Sequence, residues 1–263
     1  MKPYWNSFLL NVQFFSAVPV RRELPVDAVH LRAALRMFPL FGLTKGIIYG
    51  AFFLLLIEWS PLSPLGSAFL FWLLPILWTG GLHLDGWIDT SDAFFSYRDR
   101  SRRLEILKDP RVGAFGVLSL IVLLAARFLF IYEIFLFGNS QVVYFIILIP
   151  FYSQMITGLL LNGVAPAKQE GIAYFFQQGK DSRLAAGYGF WTIVIAVLFF
   201  VWTKSLLSLL LLAFLAYLFF LFARRGALKH FGGITGDLLG ASLEGAEGCL
   251  WMILWLLVSI GMA

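Results

Sequence analysis

The sequence predicts an all-α polytopic membrane protein of about seven transmembrane helices, with one further helix at the N-terminus lying along the bilayer interface. Three observations predict it. Of 263 residues, 60% are hydrophobic and 13% charged, and that charged share is about half the roughly 25% of soluble domains. Seven stretches are apolar over a length that can cross about 30 Å of hydrocarbon. Every Lys and Arg except Lys45, Arg127 and Lys204 falls in one of four segments that seven crossings place on one face. A soluble globule of this composition could not cover its own surface, so ordinary cytosolic enzymes, disordered chains and secreted disulfide scaffolds are excluded. Cys249, the one cysteine, has no disulfide partner and no CxxC spacing for zinc. In a chain this apolar, the net charge of +5 reads as membrane orientation and not as nucleic-acid binding.

Taken in order, residues 5–18 set Trp5, Phe8, Leu9, Val12 and Phe15 at helical spacing, with Asn6, Asn11 and Gln13 between them and Pro19 at the end. That length and polarity suit a helix lying in the interface. The spans follow at 37–57, 65–82, 113–137, 141–161, 185–203, 205–222 and 248–263, with Pro61, Pro64 and Gly138-Asn139 marking tight exits. The chain is read as a single integral-membrane domain, 1–263. A cytoplasmic or interfacial segment covers 1–36, the bundle covers 37–263, and motif loops lie at 83–112, 162–184 and 223–247. The positive-inside rule puts these loops in the cytoplasm and the C-terminus outside. Lys45 and Arg127, inside spans, are expected to snorkel or to pair with helix ends and each other.

After the second span the sequence reads GGLHLDGWIDTSD, from Gly80 to Asp92. If the chain is helical from Asp85, offsets of four and three residues put Asp85, Asp89 and Asp92 on one face. Two such charges about 5 Å apart at an effective dielectric near 20 repel by about 3 kcal/mol, so a compensating cation is expected. Oxygen-only ligands suit Mg²⁺ or Mn²⁺, which bridges to substrate phosphate. The plainer alternative is that these aspartates cap a helix end and pair with the arginines that follow. His83, a lone histidine at an interface, reads first as a hydrogen-bonded structural residue.

A basic stretch follows, in which Arg100, Arg102 and Arg103 serve as orientation charges, while Lys108 and Arg111 lie close enough to the acids to bind phosphate. A third polar island precedes the last span, GGITGDLLGASLE from Gly232 to Glu244. Its turn, with Gly233, Thr235 and Gly236, can bring backbone amides to an anion. Asp237 is added to the metal site, Glu244 shares a helical face with it, and Glu247 is expected to be an exposed boundary charge. By composition, 162–183 is an ordinary solvated connection.

GGLHLDGWIDTSDAF, then LEILKDPRVGAFG, then GGITGDLLGASLE, in this order and at these separations, resemble the cobalamin synthase family of adenosylcobinamide-GDP ribazoletransferases. Phe38-Pro39-Leu40 with Gly42, and Glu170-Gly171, add to the resemblance, which runs from about residue 5 to about 250. It implies a polytopic enzyme of the bacterial inner membrane with its active site facing the cytoplasm. The implied reaction joins adenosylcobinamide-GDP to α-ribazole or its 5′-phosphate, releases GMP and requires Mg²⁺. Asp85, Asp89, Asp92 and Asp237 would be the metal acids, with His83 beside them. Lys108, Asp109 and Arg111 match the second motif, and Asp92 is a candidate to accept the ribazole hydroxyl proton. The chain departs from the family at Ser153-Gln154, where a Ser-Arg pair is usual, and at Pro110, where Ser is common. A homo-oligomer is left open. The rival readings are a CDP-alcohol-type phosphotransferase, whose GxxxDxxxD continuation is absent, and an ion-coupled transporter using Lys45, Arg127 and Glu133.

Overall fold

The computed structural model describes residues 2–263, with side chains from Tyr4 onward. Among the described residues the regular structure is all helical apart from one isolated parallel bridge, Pro166 to Ile234. Six helices are long and apolar enough to cross a membrane, or seven if one sharply bent pair counts as a span.

Helix α1 (Lys2–Phe15) is not simply laid on the interface. Its polar side chains turn inward onto α2 (Ala28–Leu54): Ser7 Oγ donates to the His30 carbonyl and Asn11 Nδ2 to that of Ala34, both at 2.9 Å. Buried Leu10 and Phe15 complete the contact. Helix α2 begins well before residue 37 because Asp27 caps it, accepting from the N–H groups of Val29 and His30. Residues 28–36 are therefore the first turns of the bundle and not part of a separate segment. Inside α2, Pro39 has no N–H to give, which frees the Leu35 carbonyl four residues back; Tyr188 Oη donates to it at 2.5 Å.

One stripe of α2 carries Gly42, Gly46 and Gly50, and it lies directly on α7 (Val143–Gly163). A Cβ at Gly42 would fall 2.6 Å from the Pro150 carbonyl oxygen, and one at Gly46 would run into that of Ile147. Small residues at this spacing let membrane helices pack backbone to backbone. With α11 (Gly236–Ser259), these two helices form the centre of the molecule, and α7 is buried along most of its length.

Ser63 caps α3 (Pro64–Thr79), which ends where Gly80 and Gly81 both take left-handed φ values, 61° and 83°. The chain then turns by 85° into α4 (Leu82–Phe95). The predicted loop 83–112 is thus largely helical, since α5 (Arg100–Ile106) follows before α6 (Ala114–Phe137). Short α8 (Gly171–Phe176), then α9 (Leu184–Thr203) and α10 (Leu206–Gly226), lead to a π-turn at Ala227–Phe231. Thr235 Oγ1 then caps α11 by accepting from Leu238 N–H, so this helix starts well before the predicted 248.

That earlier start corrects the reading of Glu247. It is not a boundary charge but 1% exposed, held 2.7 Å from Lys45 Nζ and accepting from Ser153 Oγ at 3.2 Å. One turn earlier, Glu244 pairs with Arg127 at 2.7 Å, also buried. Lys45 and Arg127 therefore neither snorkel nor pair with each other. Both are matched by acids of α11.

Candidate active site

Two glycine contacts build the site. Helix α4 crosses α11 so closely that a Cβ at Gly86 would lie 2.7 Å from the Asp237 carbonyl oxygen, and one at Gly240 would lie 3.2 Å from the backbone of His83. This approach sets Asp237, in the first turn of α11, beside the acidic stripe of α4. Asp85, Asp237 and Asp92 all act on Asp89 through their charges and, with its burial, raise its carboxyl above the ordinary range. Asp85 is exposed, while Asp89 and Asp237 are half-buried.

Asp92 stands apart from the other three. Its two oxygens accept from Gly113 N–H at 2.7 Å and Gly116 N–H at 2.8 Å, the amides that open α6. A Cβ on either glycine would run into the carboxylate. Asp92 therefore clamps α4 to the positive end of α6, the capping role weighed as the plainer reading of these acids.

His83 does not join the acids. Two residues from Asp85 at about 100° per residue is about 200° around the helix, so the ring turns inward, 6.1 Å from that of Phe15 and 4% exposed. There it lies within electrostatic reach of Lys45 and Glu247, and its Nε2 has no hydrogen-bond partner. Gln154 is also in the interior: it is fully buried against Gly42, with neither amide atom bonded.

Both expected phosphate cations are exposed and already paired. Lys108 Nζ sits 2.7 Å from Glu170, and Arg111 grips Asp109 with two nitrogens at 2.9 and 2.6 Å. The Arg111 guanidinium pushes the Asp109 carboxyl down to about 2. The loop that carries Glu170 is not an ordinary connection. Ile234 N–H donates to the Ala165 carbonyl and Ala167 N–H to that of Ile234, each at 2.9 Å, and Gly233 has no room for a Cβ against Ala165. This bridge brings Lys168 within reach of Asp237, Lys108 and Glu170. Burial and the Lys108 charge hold the Lys168 ammonium below the ordinary lysine range. Composition gave no sign of Lys168; the neighbouring Glu170-Gly171 pair was the one available signal.

The glycine turn is less open to an anion than its composition suggests. Gly233 N–H donates to the Ala227 carbonyl and Thr235 Oγ1 is occupied by Leu238 N–H, while Gly236 is exposed at the start of α11. Among the described residues, no three His, Cys, Asp or Glu side chains stand close enough to cage a metal ion. Asp85, Asp89 and Asp237 act on one another through their charges, with Asp85 open to the outside and Lys168 within reach of Asp237.

Fold and site together define a polytopic membrane protein with an open, carboxylate-lined site at the foot of a broken helix pair. A sequence model of cobalamin-5-phosphate synthase matches residues 7–255, and the chain belongs to that family. It is 41% identical to the adenosylcobinamide-GDP ribazoletransferase of Geobacillus sp. (strain WCH70), over 98% of each chain. It is 37% identical to the enzyme of that name from Halalkalibacterium halodurans, over 97% of each, and 29% identical to that from Clostridium botulinum (strain Loch Maree / Type A3), over 97% of this chain and 99% of the other. No solved structure matches the chain.

Proposed function

We propose that this protein transfers the cobinamide phosphoryl group of adenosylcobinamide-GDP to a ribose hydroxyl of α-ribazole or its 5′-phosphate, releasing GMP. The observation that carries the reading is the convergence of Asp85 and Asp89 on α4 with Asp237 on α11, in a chain of this family. Asp85, Asp89 and Asp237 would hold Mg²⁺, which when bound neutralises the diphosphate and makes GMP a better leaving group. The transfer forms one oxygen–phosphorus bond and breaks the bridging one, so in-line placement matters more than covalent work by the protein.

The chain's own groups supply the rest. Asp92 fixes α4 against α6 through its two amide bonds and thereby sets the height of the acids. The ribose hydroxyl proton passes to a carboxylate with a free oxygen, which favours Asp85 and Asp89 over Asp92. Lys168, beside Asp237, and Lys108, beside Lys168, stabilise negative charge on the departing GMP. Basic residues flank the acids, which under the positive-inside rule supports a site on the cytoplasmic side of the bacterial inner membrane.

The test is GMP release from adenosylcobinamide-GDP and α-ribazole by the purified protein in lipid, with Mg²⁺ and with a chelator. Asp89→Asn should abolish turnover and leave the protein folded in detergent. Full activity of that variant, or chelator-resistant turnover, would refute the metal-site reading.

A further inference from the structure

A slot of about 820 Å³ opens between α6 and α10, with one face of α4 and one of α11 as its floor. Its lining is almost wholly apolar. Along α11 it runs from Leu238 to Met252, which at 1.5 Å per residue is about 21 Å, a depth comparable to one leaflet and more of hydrocarbon. It is open sideways, since Val122 and Phe222 on its two rims are 68% and 72% exposed. The acids of α4 lie off this face, so the slot is separate from the carboxylate site.

Beside the end of the slot next to Asp237, behind its lining side chains, lies a group of cations. Arg103, nine-tenths buried, lies over the rings of Phe94 and Phe231 at 5.5 and 5.9 Å, and both rings line the slot. His230 packs edge-on to Phe94 at 5.0 Å, and Arg100 Nε donates to the Lys229 carbonyl at 3.1 Å. Arg103, Lys229 and Arg100 all act on His230 through their charges. The acids nearby in sequence are committed elsewhere: Asp99 caps α5 and Glu105 pairs with Arg102. Among the described residues none of Arg100, Arg103, Lys229 and His230 forms an ion pair. Arg103 Nε, moreover, is buried with no hydrogen-bond partner.

We propose that this slot holds an acyl chain of a bilayer phospholipid whose anionic headgroup rests on Arg100, Arg103 and Lys229. An apolar channel of membrane depth with unpaired cations beside one end is complementary to a chain with a phosphate at its end. The headgroup reaches the exposed Arg100 and Lys229 directly. The chain fills a gap that neither α6 nor α10 closes, and it supports the face of α4 opposite the acids.

The test uses the full chain in nanodiscs of phosphatidylcholine, alone or mixed with phosphatidylglycerol, and counts retained lipid per chain by native mass spectrometry after release into mild detergent. The wild type should keep one phosphatidylglycerol with at least tenfold preference over phosphatidylcholine. The double variant R100Q/R103Q should lose that preference but still retain a lipid. Ala223→Trp, which puts an indole into the slot, should lower retention of both lipids. Equal retention of the two lipids by the wild type would overturn the headgroup assignment. Undiminished retention by Ala223→Trp would overturn the slot assignment, and that variant does not depend on the arginines for folding. Displacement of phosphatidylglycerol by inorganic phosphate, with Ala223→Trp without effect, would assign the cations to a free phosphate and overturn the proposal. So would a dimer that contains no lipid and is lost in Ala223→Trp, because a second copy would then fill the slot.

Discussion

Gly86→Ala tests whether the site is made by the close crossing of α4 and α11. The new methyl would fall 2.7 Å from the Asp237 carbonyl oxygen and 3.1 Å from its Cα. Both are backbone atoms, so no side chain can swing away. An ordinary contact at about 3.4 Å or more requires the helices to part by about 0.7 Å, an overpacking change that costs about 1–3 kcal/mol of stability. That parting moves Asp89 away from Asp237, and a misplacement of about 1 Å at a reacting centre costs about 10²-fold in rate. The expected result is a fall in kcat for GMP release of some tens to about a hundredfold, with KM for α-ribazole changed far less. Gly240→Ala, at 3.2 Å from His83, should show a smaller loss. Gly163→Ala, with nothing within 4 Å of its added methyl, should show none. Each variant is assayed in lipid beside its thermal unfolding. If Gly86→Ala folds and turns over at the wild-type rate, or if the order of the three is reversed, the crossing does not make the site.

Three further outcomes follow from named contacts. Glu247→Gln leaves Lys45 charged and buried beside a neutral amide, so it should destabilise by about 3–5 kcal/mol, read as a lower unfolding temperature in detergent. The paired replacement Lys45→Met with Glu247→Leu should recover most of that loss. Lys108→Ala breaks an exposed pair with Glu170 and should change stability by no more than about 1 kcal/mol, while kcat for GMP release falls several-fold in steady-state kinetics. The Arg36 guanidinium holds the Asp181 carboxyl below the ordinary carboxylate range. A depressed acid contributes stability above its unfolded value near 4 and loses it as pH falls through the lower folded value. Asp181→Asn should therefore destabilise the neutral protein, with the difference from wild type shrinking as pH falls below the unfolded carboxylate value near 4, measured by denaturation across pH.

The spans legible in the sequence were those whose hydropathy matched their helix ends, such as α6 and α9. Where polar residues continue a helix, hydropathy stopped too late or too early: Asp27 starts α2 and Thr235 starts α11, each through a cap that a search for apolar runs passes over. Glu247 was misread for the same reason. Nothing beside it in the sequence explains a buried acid, because its partner Lys45 stands on another helix. His83 was placed with the acids by its motif, and the helical period turned it away from them.

The sequence by itself determined the class of molecule and the stripe of acids, because both depend on local facts: the apolar share, the length of each run, and offsets of three and four residues along one helix. It also carried the family, through motifs that keep their order. Only the tertiary structure decided which acids meet. Asp237 joins Asp89 because Gly86 and Gly240 remove the side chains that would hold two backbones apart. Asp92 is drawn off because Gly113 and Gly116 present bare amides to it. Lys168 is present because one parallel bridge ties its loop to Ile234. Each of these is a contact between residues far apart in the chain, and such a contact is fixed by packing and hydrogen bonding across helices, not by any pattern along one of them.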